Sequence, residues 1–137
     1  EVVDFATVLA TCDVISLHVP LIPSTRHLIG EEALARMTPG AVLVNTCRGG
    51  VVDTAAVARA LQDGRLKGAG LDVFEEEPLP ADSPLLDCPS AVLTPHASWY
   101  SEESFSELKR RVTEAVAAVA RGERPRDILN PEVLDRA

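Results

Sequence analysis

Residues 41–53 read AVLVNTCRGGVVD, Ala41 through Asp53. The first six are a short run rich in aliphatic and β-branched residues, the composition of a buried strand. Asp53 suits a helix N-cap, and the helix it opens is predicted to reach about Asp63 and stop at Gly64. Between strand and helix stand Arg48, Gly49 and Gly50. Arginine is seldom buried, so its position directly after a core strand admits two readings. It is a solvated loop residue, or it is a cation aimed at something by the strand. The two glycines would let a backbone or a ligand approach closely.

The rest of the chain repeats this strand-to-helix unit. Residues 13–19 (DVISLHV) predict a strand ended by Pro20, followed by the proline-punctuated loop PLIPSTRHLIG. A short helix is expected over Glu31–Arg36, and Thr38-Pro39-Gly40 marks a turn. Residues 68–74 (GAGLDVF) predict a third strand, and 91–94 (AVLT) a fourth before Pro95. Ser101 can cap a long helix to about Arg121, with Glu102 and Glu103 at the positive end of its dipole. Phe105, Leu108, Val112, Val116 and Val119 recur at spacings of three and four, which predicts one buried face. Gly122 should stop that helix, and the tail beyond it looks irregular.

Apolar strands alternating with helices indicate an α/β fold with a parallel sheet covered on both faces. Ligands of such sheets bind beyond the carboxyl ends of the strands. The residues that follow the strands there are His18 to Pro20, Thr46 to Gly49, Asp72 to Pro78, and His96.

The totals narrow the partners. A length of 137 residues suits one domain, and 46% hydrophobic with 25% charged residues is ordinary for a globular protein. The net charge of −8 argues against nucleic acid, whose phosphates need a basic surface. No apolar run approaches the roughly 20 residues of a membrane helix. Cys12, Cys47 and Cys88 are odd in number and widely spaced, which fits a reduced, cytoplasmic setting and no metal site. The chain opens on Glu1 rather than Met and shows no first strand, so a stretch from within a longer protein is expected.

Arg48, Glu77 and His96 carry the most specific chemistry. The arginine fork matches a carboxylate, and its charge can polarise a carbonyl. On position alone a capping or salt-bridging arginine fits equally well. Histidine is the default proton donor near neutral pH, although a lone histidine at a strand end is more often structural. Glu77, pinned by Pro78, could orient that imidazole and favour its charged form, whereas Glu75 and Glu76 read as solvated. Together the three would hold a small acid by its carboxylate and protonate the carbonyl beside it. The hydride must then come from a nicotinamide cofactor, since no side chain supplies one.

Four stretches, DVISLHVPLIPSTRHLI, VLVNTCRGGVVD, GAGLDVFEEEP and LTPH, span nearly all of residues 1–100. In this order they resemble the nucleotide-binding part of the D-2-hydroxyacid dehydrogenases. The resemblance implies the second half of a Rossmann-like, doubly wound parallel sheet with flanking helices. This partial domain would cover residues 1–121, with 122–137 returning toward a substrate domain. Arg48, Glu77 and His96 would be the substrate arginine, the carboxylate partner and the acid–base histidine. Val19, Thr25, Thr46, Cys47 and Asp72 would line NAD, with Asp72 near the nicotinamide. A small 2-hydroxy or 2-keto acid is the implied substrate, and a homodimer the implied assembly.

HASWYSEES (residues 96–104) resembles the C-terminal-binding-protein branch, NADH-binding corepressors. It implies that Trp99 walls the substrate pocket, where an indole suits a phosphate poorly, and offers an NADH-sensing binding protein as the alternative to an enzyme. The family's G-x-G-x-x-G fingerprint is not in the sequence, and Gly68-Ala69-Gly70 lies inside a predicted strand. Without the strand that carries the fingerprint, residues 13–19 should present an unpaired apolar edge.

Overall fold

The computed structural model describes residues 1–136, with side chains as far as Val133. The stretch Ala41–Asn45 is a strand, β2, in which Ala41, Leu43 and Asn45 are fully buried. It is flanked by β1 (Val14–Leu17) and β3 (Leu66–Leu71), and β4 (Ala91–Leu93) follows β3 at the far edge. All pairings are parallel. Leu17, Asn45 and Leu71 are register partners, as are Leu71 and Leu93, so the carboxyl ends of the strands finish along one edge. That edge is where the sequence places its chemistry.

Helices α1 (Phe5–Thr11), α2 (Glu31–Arg36) and α3 (Thr54–Gln62) pack in chain order, α1 on α2 and α2 on α3, with α3 resting on β3. Leu9, Leu34, Met37, Val57 and Leu61 from this helical layer join Ile15, Leu17, Leu43, Ala69 and Leu71 in one core. Asp53 caps α3 as expected, its carboxylate accepting from the Ala56 N–H at 2.9 Å. Asp4 caps α1 in the same way through Thr7. At seven residues α1 is too short for periodicity to reveal it.

Three expectations need correction. The strand forecast over 68–74 lies two to three residues earlier, so Asp72, Val73 and Phe74 belong to the loop that follows it. Arg65 is the reason it starts early, since its backbone C=O accepts from Gly40 at the sheet entrance. Burial on both sheet faces is replaced by alternation: Ile15 and Leu17 are buried while Val14 is 61% exposed, and Val92 on β4 is 68% exposed. The core lies on the face that α1 to α3 cover. The long helix α4 (Glu102–Ala120) forms with a Ser101–Ser104 capping box, but it buries no residue, and Leu108, Val112, Val116 and Val119 are exposed. This helix belongs to a separate compact unit that begins at Trp99, and the described part of that unit is too small to cover the apolar stripe of a 19-residue helix. Among the described residues β1 pairs with β2 alone.

Two buried polar side chains tie the loops at the ligand edge. The Asn45 amide donates to the Arg48 carbonyl at 3.0 Å, and its oxygen accepts the Cys47 N–H at 3.1 Å. Asp72 is 2% exposed. Its carboxylate accepts from the Thr94 hydroxyl at 2.5 Å and from the backbone N–H groups of Ala97 and Ser98 at 2.8 and 2.9 Å. Burial pushes this carboxyl up, but the bonds from Ser98, Thr94 and Ala97 outweigh it and hold the group far below the usual carboxylate range. Gly49 makes a third tie by having no side chain. A Cβ there would stand 1.8 Å from the Phe74 carbonyl oxygen, inside the backbone of the loop after β3.

Gly49→Ala should therefore cost about 3 kcal/mol in urea denaturation, because two backbones must separate. Gly50→Ala meets only the flexible end of Leu21 at 3.1 Å and should stay within about 1 kcal/mol. Equal effects would mean that the backbone contact is unimportant. Asp72 predicts a pH signature. Its folded pKa lies below the ordinary 3.8, so its stabilisation is complete above that value and is lost as pH falls through the folded pKa. Asp72→Asn, which turns an amide donor toward backbone N–H groups, should cost about 2–3 kcal/mol at neutral pH. It should also remove this component of acid unfolding followed by circular dichroism.

Candidate active site

The site begins with the loop that leaves β2. Asn45 grips it from within, Gly49 seats it on the loop after β3, and Arg48 projects between these anchors. The Arg48 guanidinium donates to the Cys47 carbonyl at 2.6 Å and is exposed. It lines a cleft of about 330 Å³ together with Glu77 and His96. The three residues singled out in the sequence thus meet in one cavity, although they lie in loops after three different strands.

Glu77 and His96 are in direct contact, with His96 Nδ1 at 2.8 Å from Glu77 Oε2. The other carboxylate oxygen accepts the Phe74 N–H at 3.0 Å. The bond from Phe74 first, and that from His96 second, hold the Glu77 carboxyl below its ordinary value. An ionised carboxylate only accepts, so Nδ1 is the donor and the tautomer of the ring is set. The backbone of His96 is in the left-handed region at φ +53°, which residues other than glycine seldom adopt. Asp72 holds it there: its carbonyl accepts the His96 N–H at 2.8 Å, and its carboxylate takes the next two N–H groups. The cost of that conformation, of order 1–3 kcal/mol, is borne by a buried anion. His96 and Glu77 also border an apolar hollow of about 500 Å³ lined by Phe74, Leu79, Leu86 and Leu93.

The residues assigned to a cofactor fall along the same edge. Thr46 and Asp72 directly follow the register partners Asn45 and Leu71, and Val19 lies two residues beyond Leu17. Asp72 is buried and spends its carboxylate on Thr94, Ala97 and Ser98. The Thr25 hydroxyl binds the Pro20 carbonyl at 2.6 Å and accepts from Ile22 at 2.9 Å. The Cys47 thiol donates to Asn45 at 3.1 Å. Both therefore shape their loops. This row of strand ends fits the nicotinamide end of a dinucleotide. Trp99 belongs to the second unit, where its ring stands edge-on to Tyr100 at 5.6 Å between centroids.

Sequence reasoning missed two positioning groups. Glu75, read as solvated, bonds His27 Nε2 at 2.6 Å and the Thr54 N–H at the start of α3 at 2.9 Å. The partners are 48 and 21 residues away, so no local pattern shows them. Asn45 is the second, and a polar residue closing an apolar run is the signal in the sequence that marks it.

Residues 1–98 match the family described as D-isomer specific 2-hydroxyacid dehydrogenase, NAD binding domain. The chain is 49% identical over 134 residues to a glyoxylate reductase of Korarchaeum cryptofilum, covering 98% of this chain and 40% of that protein. It is 56% identical over 103 residues to an (S)-sulfolactate dehydrogenase of Chromohalobacter salexigens, covering 75% of this chain and 33% of that one. Its fold superposes on D-lactate dehydrogenase with NAD+ from Lactobacillus jensenii with a TM-score of 0.87 at 35% identity, over 93% of this chain and 42% of the other. The chain spans well under half the length of these relatives. The corepressor branch suggested by residues 96–104 gains no support from them. With the parallel sheet, its ligand edge and this family match in agreement, the chain belongs to the D-isomer specific 2-hydroxyacid dehydrogenases, as their NAD-binding domain.

Proposed function

We propose that the protein interconverts a small 2-keto acid and its 2-hydroxy acid, with NAD(H) as the hydride carrier. The observation that carries this reading is the single cleft shared by Arg48, Glu77 and His96. Arg48 would clamp the substrate carboxylate and draw charge toward the carbonyl oxygen. His96 would deliver a proton to that oxygen through Nε2, opposite the nitrogen held by Glu77. Glu77 stays ionised and so keeps the ring turned.

Bound at the strand ends, NADH would supply the hydride that the side chains lack. Thr46, Val19 and Asp72 would line its nicotinamide end, with Thr25 and Cys47 shaping the loops around it. Asp72 would then serve twice, bordering the cofactor while fixing the His96 backbone. The reductase and dehydrogenase relatives support glyoxylate, hydroxypyruvate and pyruvate as the first substrates to try.

The experiment uses the complete natural protein that contains this chain and follows NADH oxidation. Arg48→Gln should lower kcat/KM for keto acids about 100-fold or more while NADH affinity is retained. An equal loss of NADH affinity would place the arginine at the cofactor instead. Glu77→Gln should lower kcat about 10- to 100-fold with a smaller change in KM, as expected of a residue that acts through the proton donor. A change confined to KM would contradict this role.

A further inference from the structure

The cleft of Arg48 holds a second guanidinium, that of Arg26. Arg26 lies on the connection between β1 and α2, and its position is fixed by backbone ties. Its N–H donates to the Ile22 carbonyl at 3.0 Å, and the next residue, His27, donates to the Gly50 carbonyl at 2.9 Å. The side chain runs over Gly50, with Nη1 3.6 Å from the place a Cβ would occupy there. The two guanidiniums therefore flank one short segment, Arg48-Gly49-Gly50.

The cleft also carries Glu75 and Glu77, but neither glutamate pairs with an arginine. Its two carboxylates are engaged elsewhere, Glu75 with His27 and the Thr54 N–H, and Glu77 with His96 and the Phe74 N–H. Among the described residues neither arginine has a carboxylate partner, and Arg48 turns instead to the Cys47 carbonyl. Yet the chain carries 21 acidic residues against 13 lysines and arginines. Two guanidiniums in one cavity that form no ion pair keep their forks open to a ligand, and a ligand with a single carboxylate answers only one of them.

We propose that Arg26 is a second anion-binding group of the site, and that the preferred 2-keto acid carries a second anionic group, a carboxylate or a sulfonate, at the end remote from Arg48. This rests on the role given to Arg48 above and adds the substrate class to it. The guanidinium fork suits either anion, because both present two or more acceptor oxygens in a plane or cone. A cofactor phosphate is the other anion that Arg26 could meet, and the test separates the two.

The measurement compares kcat/KM in the complete natural protein for oxaloacetate and 3-sulfopyruvate, with two anionic groups, against pyruvate and hydroxypyruvate, with one. The wild type should favour the former pair. In Arg26→Gln that preference should fall about 10- to 100-fold, the worth of one charge-assisted hydrogen-bonding pair, and Arg26→Lys should restore part of it. The NADH dissociation constant, read separately by fluorescence titration, should keep its wild-type value. Loss of NADH affinity in Arg26→Gln would assign the residue to the cofactor and overturn the proposal. So would an equal decline for both substrate classes, or no decline at all. Turnover of pyruvate without any preference would refute only the Arg26 inference, whereas no turnover of any 2-keto acid would refute the function on which it rests.

Discussion

Everything at the ligand edge depends on one contact without a side chain, the seating of Gly49 on the peptide between Phe74 and Glu75. Two loops from neighbouring strands can touch backbone to backbone only where no Cβ intervenes. That contact brings the loop after β2 against the loop after β3, and Arg48 is thereby placed in the cavity that Glu77 lines. The parallel sheet supplies the common edge, and the glycine closes the distance along it.

Buried polar groups then make the geometry stiff. Asn45 ends β2 and Asp72 directly follows β3, and both use their side chains to hold the segment that carries a reactive residue. Burying a carboxylate is costly, and Asp72 offsets that cost by accepting three hydrogen bonds. The same bonds keep the His96 backbone in a conformation that free chains avoid. Glu75 does for the entrance of α3 and the β1–α2 loop what Asp72 does for the fourth strand end. The result is a cavity in which both carboxylates are hydrogen-bonded and, among the described residues, neither arginine forms an ion pair.

Much of this was legible in the primary structure because it follows from local chemistry. The strand over residues 41–45 is a short apolar run, Asp53 and Ser101 are N-caps by type, and the order of strands and helices predicts a parallel sheet. The trio of Arg48, Glu77 and His96 could be named because each directly follows a strand or its turn. Where the reading failed, the deciding interaction was not local. The Glu75–His27 bond joins residues 48 apart. The apolar stripe of α4 was correctly aligned, yet periodicity says which face is apolar and not whether anything covers it.

By itself the sequence determined four strands in outline, the starts of α2, α3 and α4, and which reactive side chains follow the strands. These are consequences of propensity, capping and pattern, all set by neighbours along the chain. Only the tertiary structure decided that Arg26 joins Arg48, that both glutamates of the cleft are already paired, and that Asp72 anchors His96. Pairing depends on which loops a fold brings together, and the distances that settle it exist only once the sheet has closed its edge around them.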